Sequence, residues 1–239
     1  MITFDNVNKS FNDLVIMENF CEEFEKNKVN CILGPSGCGK TTLLNLICGI
    51  LKEDSGHITK PEKISYVFQE ESLIPQKTAR KNLELVLKSV YKNNTELKMV
   101  IDKFFKISDL ENAQELYPHE MSGGMRQRLA LIRAFAYPSD ILLMDEPFKA
   151  LDITLKDNLV KAFLDLYEED KRTVLFVTHD IDEALMTGDL IYVYSDKPMR
   201  LQKKFVVDEE KRSRKIYDES ITRKKNEIYR EAEKWQLGK

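Results

Sequence analysis

Several things are missing from this 239-residue chain, and each absence narrows what it can be. No apolar run approaches the roughly 18–20 residues needed to cross a bilayer. Met1-Ile2-Thr3-Phe4-Asp5-Asn6 carries no basic segment leading into an apolar stretch, so no secretory signal is expected. No charge of one sign dominates: 37 Lys and Arg against 40 Asp and Glu leave a formal net charge of −3, which makes nucleic acid a poor partner. The four cysteines, Cys21, Cys31, Cys38 and Cys48, show no metal-ligand spacing. Cys31 and Cys48 sit in apolar runs and read as core thiols. There is no internal repeat and no low-complexity linker. These features describe a soluble protein of a reducing compartment, with one large domain or a domain carrying an insertion.

The most informative stretch is Gly34-Pro35-Ser36-Gly37-Cys38-Gly39-Lys40-Thr41-Thr42, which fits G-x-x-x-x-G-K-[ST] at every fixed position. Val29 to Leu33 before it reads as a buried strand, and Thr42 to Cys48 after it as a helix. Glycines let such a loop turn its N–H groups inward onto phosphate oxygens, and the helix start adds its dipole. The Lys40 ammonium can reach the β- and γ-phosphates, and the Thr41 hydroxyl can ligate Mg²⁺. Cys38, amid these N–H groups and near Lys40, is expected to favour its thiolate. The motif by itself says nucleoside triphosphate and no more.

Around it the chain reads as α/β. Residues 1–33 give three strands, with breaks at Asn12-Asp13 and at Lys26-Asn27-Lys28. Gly56–Thr59 and Ile64–Phe68 are two more, the second ending at Gln69. From about 70 to 138 the pattern is helical: Thr78–Tyr91, Thr95–Ile107, Asp109–Leu116 and Ser122–Tyr137. Strands resume at Asp140–Met144, Thr173–Val177 and Ile191–Tyr194, with a helix over Thr154–Asp170. The Gly34 loop, Asp145 and His179 each follow a predicted strand, the edge where open parallel sheets bind ligands. Residues 203–239 are densely charged and read as one or two solvated helices, with a basic surface facing lipid as the lesser alternative.

Further stretches carry chemistry. Ser122-Gly123-Gly124-Met125 is a capped, glycine-opened helix start, a second anion cradle where one nucleotide needs only one. Asp145 can hold a metal through water, and Glu146 can act as general base on an attacking water. Gln69 and His179 are weak signals taken singly.

The ordered set Gly34 to Thr42, Gln69, Ser122 to Met125, Asp145-Glu146, Ala150-Leu151-Asp152 and His179 resembles the motif set of ABC transporter ATP-binding subunits, over roughly residues 1–205. The resemblance implies a P-loop, RecA-like α/β core with an antiparallel β part and an inserted helical subdomain at about 70–138. Residues 206–239 would be a charged, helical C-terminal extension. It implies ATP and Mg²⁺ as ligands and ATP hydrolysis as the activity, with Lys40, Gln69, Glu146 and His179 catalytic and Thr41, Gln69 and Asp145 at the metal. Phe11 would stack on adenine. Ser122, Gly123 and Gly124 form the signature motif and Asp152 the D-loop. The implied partners are a second copy of the chain or a paralogous subunit, an integral membrane permease and, indirectly, a solute-binding protein, at the cytoplasmic face of the cell membrane. Leu73, Ile74 and Pro75, after Gln69, are candidates for permease contact. Tyr117-Pro118-His119-Glu120 and Phe148 are similar to importer subunits, most of all the nitrate/sulfonate/taurine group. Three residues depart from the pattern: Met121 and Met125 in the signature, and Lys149 where Ser or Gly is common. DNA-repair and translation-factor ATPases share the signature. The first group inserts a long coiled coil and the second carries two cassettes per chain, and neither feature is here.

Overall fold

The computed structural model describes residues 1–149 and 152–237, with side chains to Glu233. Ala150 and Leu151, which belong to the motif set above, lie outside the described residues, as do the last two residues of the expected extension. The chain opens with a hairpin, β1 (Ile2–Phe11) and β2 (Leu14–Phe24), turning at Asn12-Asp13. Asn12 has φ 52, a left-handed conformation that asparagine tolerates better than most residues. With β4 (Ser55–Thr59) these form a three-stranded antiparallel sheet, in the order β2-β1-β4.

The second sheet has six strands. β5 (Ile64–Val67), β6 (Ile141–Asp145), β7 (Thr173–Val177), β3 (Val29–Leu33) and β8 (Leu190–Tyr194) run parallel in that spatial order, and β9 (Leu201–Val206) closes the far edge antiparallel to β8. Every residue of β3, β6, β7 and β8 is buried. That explains why these segments read as unbroken apolar runs: a strand covered on both faces has no polar side to alternate with.

The side chains still alternate by face. Cys31, Leu142, Met144, Val174 and Phe176 point into a core shared with α4 (Gly123–Ala136), α5 (Ile153–Glu169) and α6 (Ile181–Thr187). Ile32, Leu143, Leu175 and Tyr192 point into a second core, closed by α1 (Lys40–Cys48) and the antiparallel sheet. Ring pairs tie the first core together, among them Phe148 edge-on to Phe176 at 5.5 Å between centroids.

Between β5 and β6 lie α2 (Ala79–Leu87), α3 (Asn94–Ile107) and α4. The helix expected over Asp109–Leu116 does not form; only Glu111–Ala113 makes a single 3-10 turn. Asp109 has φ 53, which stops α3, and the carbonyls of Gln114 and Leu116 are taken by the N–H groups of Arg80 and Ala79 at 2.8 Å each. The segment serves as a cap for α2, whose first donors would otherwise be orphaned.

The charged tail is docked, not solvated as expected. α7 (Glu219–Leu237) places Ile221 and Ile228, two turns apart, on one fully buried face. Burying each is worth about 1.5–3 kcal/mol. Lys225 pairs with Asp182 of α6 at 2.6 Å. Before α7, the Arg214 guanidinium donates to the carbonyls of Leu185, Gly188, Val207 and Glu209, covering the C-terminal end of α6. Both α6 and β9 escaped the sequence reading. α6 is a short helix, and in β9 only Phe205 is buried, the strand's remaining residues being exposed.

Candidate functional site

Register brings the predicted strand ends together. Asp145 pairs with Val177 across β6 and β7, and Ile32 pairs with Val177 across β3 and β7. The residues that follow, the Gly34 loop, Glu146 and His179, therefore emerge side by side at one edge of the sheet. Two backbone bonds fix the turns there: Glu146 N–H donates to Val177 O at 2.9 Å and Thr178 N–H to Ile32 O at 3.2 Å.

In the Gly34 loop, Gly37 (φ 80) and Gly39 (φ 124) occupy conformations that a side chain would strain. A Cβ on Gly39 would stand 2.6 Å from Ile16 Cγ2, so β2 packs directly against the loop's underside. α1 starts at Lys40, and no side chain caps it, which leaves its first N–H groups facing the loop. The Lys40 ammonium donates to the carbonyls of Gly34 (2.8 Å) and Pro35 (2.9 Å), folded back along the loop.

Cys38 corrects an expectation. Its side chain is fully buried, and that burial raises the thiol above its ordinary range despite the opposing pull of Lys40. The thiolate is disfavoured because desolvation outweighs the nearby positive charge.

The two acidic residues are pushed apart. Burial, with the adjacent Glu146 charge, raises Asp145 above the usual carboxylate range against hydrogen bonds from Thr41 and Tyr66. The Tyr66 hydroxyl donates to Asp145 Oδ2 at 3.4 Å. Glu146 is also pushed up by burial, but Lys149, His179 and Lys40 together outweigh this and hold it below its ordinary value. Lys149 Nζ lies 2.7 Å from Glu146 Oε2, and His179 Nδ1 lies 3.4 Å from Oε1. Glu146 itself has φ 45, so the chain turns sharply there and aims the carboxylate at both bases. An ionised carboxylate beside an exposed imidazole and a phosphate-shaped loop can orient and deprotonate a water.

The donor set around Asp145 suits a hard divalent cation. Thr41 lies against its carboxylate, and no group of three or more His, Cys, Asp or Glu placed to hold a metal ion occurs among the described residues. One carboxylate and one hydroxyl, completed by substrate phosphates and water, is the pattern of Mg²⁺ sites rather than of all-protein cages.

Gln69 leaves the same edge, since Val67 pairs with Met144 across β5 and β6, whereas the other expected residues lie on other elements. Gln69 is exposed on a bend just past β5 and makes no hydrogen bond with another described residue. Phe11, at the end of β1, is 43% exposed, with Lys9 Nζ 5.5 Å from its ring centre. Ser122 caps α4, accepting from Met125 N–H at 3.3 Å. Gly124 abuts α5, where an added Cβ would stand 2.1 Å from Leu155 Cδ1. No hydrogen bond or ion pair among the described residues joins Ser122–Gly124 to the Gly34 loop. Asp152 caps α5 through Leu155 N–H at 2.9 Å.

The structure adds residues that the sequence reading missed. Arg126 and Arg133, two turns apart on one face of α4, strap down the loop after Gln69. Arg126 Nε reaches Glu71 Oε1 at 3.2 Å, and Arg133 holds the carbonyls of Ser72 (2.8 Å) and Glu71 (3.1 Å). Their shared helix face was a legible signal, but their target loop was not. Lys156 of α5 pairs with Asp180 (2.7 Å) and Glu183 (2.9 Å) of α6, steadying the helix that follows His179.

Comparison with known proteins agrees with this geometry. A family model described as ABC transporter matches residues 17–149. The chain is 38% identical, over 84% of its length and 84% of the relative's, to the aliphatic sulfonates import ATP-binding protein SsuB of Bacillus cereus. It is 37% identical, over 82% of its length and 76% of the relative's, to the nitrate import ATP-binding protein NrtD of Synechococcus elongatus. Among solved structures, a dimeric ATP-binding cassette in a post-hydrolysis state bound to ADP and Pi superposes with TM-score 0.74 at 29% identity, covering 88% of this chain and all (100%) of that one.

Proposed function

This chain belongs to the ABC transporter family, and from that premise we propose that it is the ATP-binding and ATP-hydrolysing subunit of a solute importer, working as a head-to-tail nucleotide-sandwich dimer on a membrane permease. The observation that carries the reading is the convergence of the Gly34 loop, Asp145, Glu146 and His179 on one sheet edge, while a second anion cradle, Ser122–Gly124, stands on a different helix with no hydrogen bond or ion pair to it among the described residues. One protomer holds half of each site, and a second copy supplies the other half. The import names of the relatives favour transport over a DNA-repair or translation role.

In this reading the inward N–H groups of residues 34–42 and the Lys40 ammonium bind the phosphates, and Phe11 stacks on the adenine. Asp145, Thr41 and Gln69 would hold Mg²⁺, which would neutralise phosphate charge there. Glu146 takes a proton from the attacking water, and His179 orients the carboxylate and the γ-phosphate. Asp152 lies beside the partner's site. The loop after Gln69 is the candidate permease contact: Ile74 is pinned by Asn82, whose Oδ1 accepts from Ile74 N–H at 2.9 Å, and Arg126 and Arg133 couple this loop to the signature helix α4. Domain motion on hydrolysis would then be felt at the permease. The chain would act at the cytoplasmic membrane face as a peripheral subunit, the solute being selected by the permease and binding protein.

The test is ATP-dependent dimerisation. Glu146→Gln keeps the shape and removes the base, so added ATP should shift this variant from monomer to dimer on size exclusion. Adding Ser122→Arg or Lys40→Ala should abolish the shift, while Ser122→Arg alone still binds nucleotide at its own P-loop. A double variant Glu146→Gln/Ser122→Arg that still dimerises would remove the trans role of the signature.

A further inference from the structure

The loop joining β8 to β9 lies against the phosphate loop, and no motif covers it. Three contacts place it there. Tyr194 O is 3.5 Å from where a Cβ on Gly34 would stand, Met199 Sδ is 3.5 Å from the same point on Gly39, and Lys197 Nζ is 3.8 Å from that of Gly37. The loop is pinned at both ends. Met199 is buried and its N–H donates to Ile16 O at 2.8 Å, so it is fastened to the strand that floors the phosphate loop. Ser195 ties the turn internally: its N–H donates to Arg200 O (2.9 Å), and its hydroxyl donates to Asp196 O (2.7 Å) and accepts from Arg200 N–H (3.0 Å).

Lys197 projects from this fixed turn. Its ammonium makes no hydrogen bond or ion pair with any described residue. The neighbouring Asp196 carboxylate instead accepts from the Lys197 backbone N–H at 2.8 Å. Most cations near the site are already engaged: Lys40 with Gly34 and Pro35 carbonyls, Lys149 with Glu146, Lys9 with Asp54. Gly37 has no side chain to shield it. Lys197 is therefore an uncommitted positive charge standing beside the middle of an anion cradle.

We propose that Lys197 is a further nucleotide-contacting residue, a second ammonium that meets the phosphate chain from the β8–β9 loop on the Gly37 side of the P-loop. The proposal rests on the P-loop being the nucleotide site. Lys40 enters from within the loop and Lys197 from outside it, so the phosphate chain is bracketed by two cations on separate elements. The fixed turn means that little ordering is needed when the contact forms. Because Lys197 is exposed, its contribution is modest and screened by salt.

Fluorescence titration of the full chain with mant-ATP separates this proposal from the reading beneath it. Wild type should bind and Lys40→Ala should not; failure of wild type to bind removes the underlying site. Lys197→Ala should bind roughly three- to fivefold more weakly at about 50 mM NaCl, Lys197→Glu more weakly still, and Lys197→Arg close to wild type. At about 300 mM NaCl the gap between wild type and Lys197→Ala should shrink. An alanine variant within about twofold of wild type at low salt would overturn the proposal. So would a loss that salt leaves unchanged, because a purely structural defect is not screened.

Discussion

Replacing Arg214 by alanine tests whether the C-terminal segment is part of the ATPase body. The side chain is 4% exposed, and its guanidinium makes five hydrogen bonds to four carbonyls: Leu185 (2.8 Å), Gly188 (2.7 Å), Val207 (3.1 Å) and Glu209 (2.9 and 2.7 Å). Two of these carbonyls end α6, one follows β9 and one precedes the 3-10 turn at Lys211–Ser213, so the residue binds three elements into one unit. Alanine leaves all four acceptors facing a void. Each abandoned buried acceptor costs about 1–3 kcal/mol, but water enters part of the space, and removing one partner of a buried charged network costs about 3–5 kcal/mol in total. Against a total stability of about 5–15 kcal/mol that is a large fraction. With a denaturant slope of about 2–3 kcal/mol per molar urea, the midpoint should fall by about 1–2 M. Arg212→Ala is the control: that side chain is 52% exposed and, among the described residues, pairs only with Asp165, so it should cost under about 1 kcal/mol. Lysine at 214 should restore little, since one ammonium cannot fork to four carbonyls. Because α6 starts two residues after His179, ATP turnover should also fall in urea that leaves wild type active. If Arg214→Ala and Arg212→Ala shift the midpoint equally, the tail is not a clamp on α6 and the energetic reasoning fails.

Other outcomes follow from the site. Phe11→Ala should weaken ATP binding by about 1–3 kcal/mol while Phe11→Tyr does not, as measured by nucleotide titration; equal affinity for all three would place the ring outside the adenine site. Cys38, its thiol raised by burial, should be less thiolate at neutral pH than a free cysteine, so maleimide at pH 7 should label exposed Cys21 first, with Cys38 reacting only as pH rises further; peptide mapping that finds Cys38 modified first would contradict the burial argument. Lys149→Ala should release Glu146 from a half-exposed ion pair worth about 0.2–1 kcal/mol, raising turnover by up to about fivefold with KM unchanged; a fall in turnover would make Lys149 a support for the base rather than a restraint.

The local chemistry of this chain was written in its sequence. Glycines at 37 and 39 stand where φ is positive, an apolar run leads into each functional turn, and Ser122 caps the helix that its spacing announced. Such signals survive because they depend on neighbours in the chain: a turn needs its glycine, and a strand covered on both faces needs its apolar run. Long-range placement decided the rest. That Cys38 loses solvent faster than it gains from Lys40, that Lys149 meets Glu146, and that Arg126 and Arg133 grip the loop after Gln69 depend on which elements pack together. The tail shows the difference most clearly. Its charges read as solvated because composition counts residues without regard to face, whereas Ile221, Ile228 and the buried Arg214 found partners on α6 and beyond β9 only once the sheet had assembled. Sequence fixes what a residue can do through its own backbone and near neighbours; burial and the partners of a charge are properties of the packed chain, set by desolvation and contact across distances that spacing does not encode.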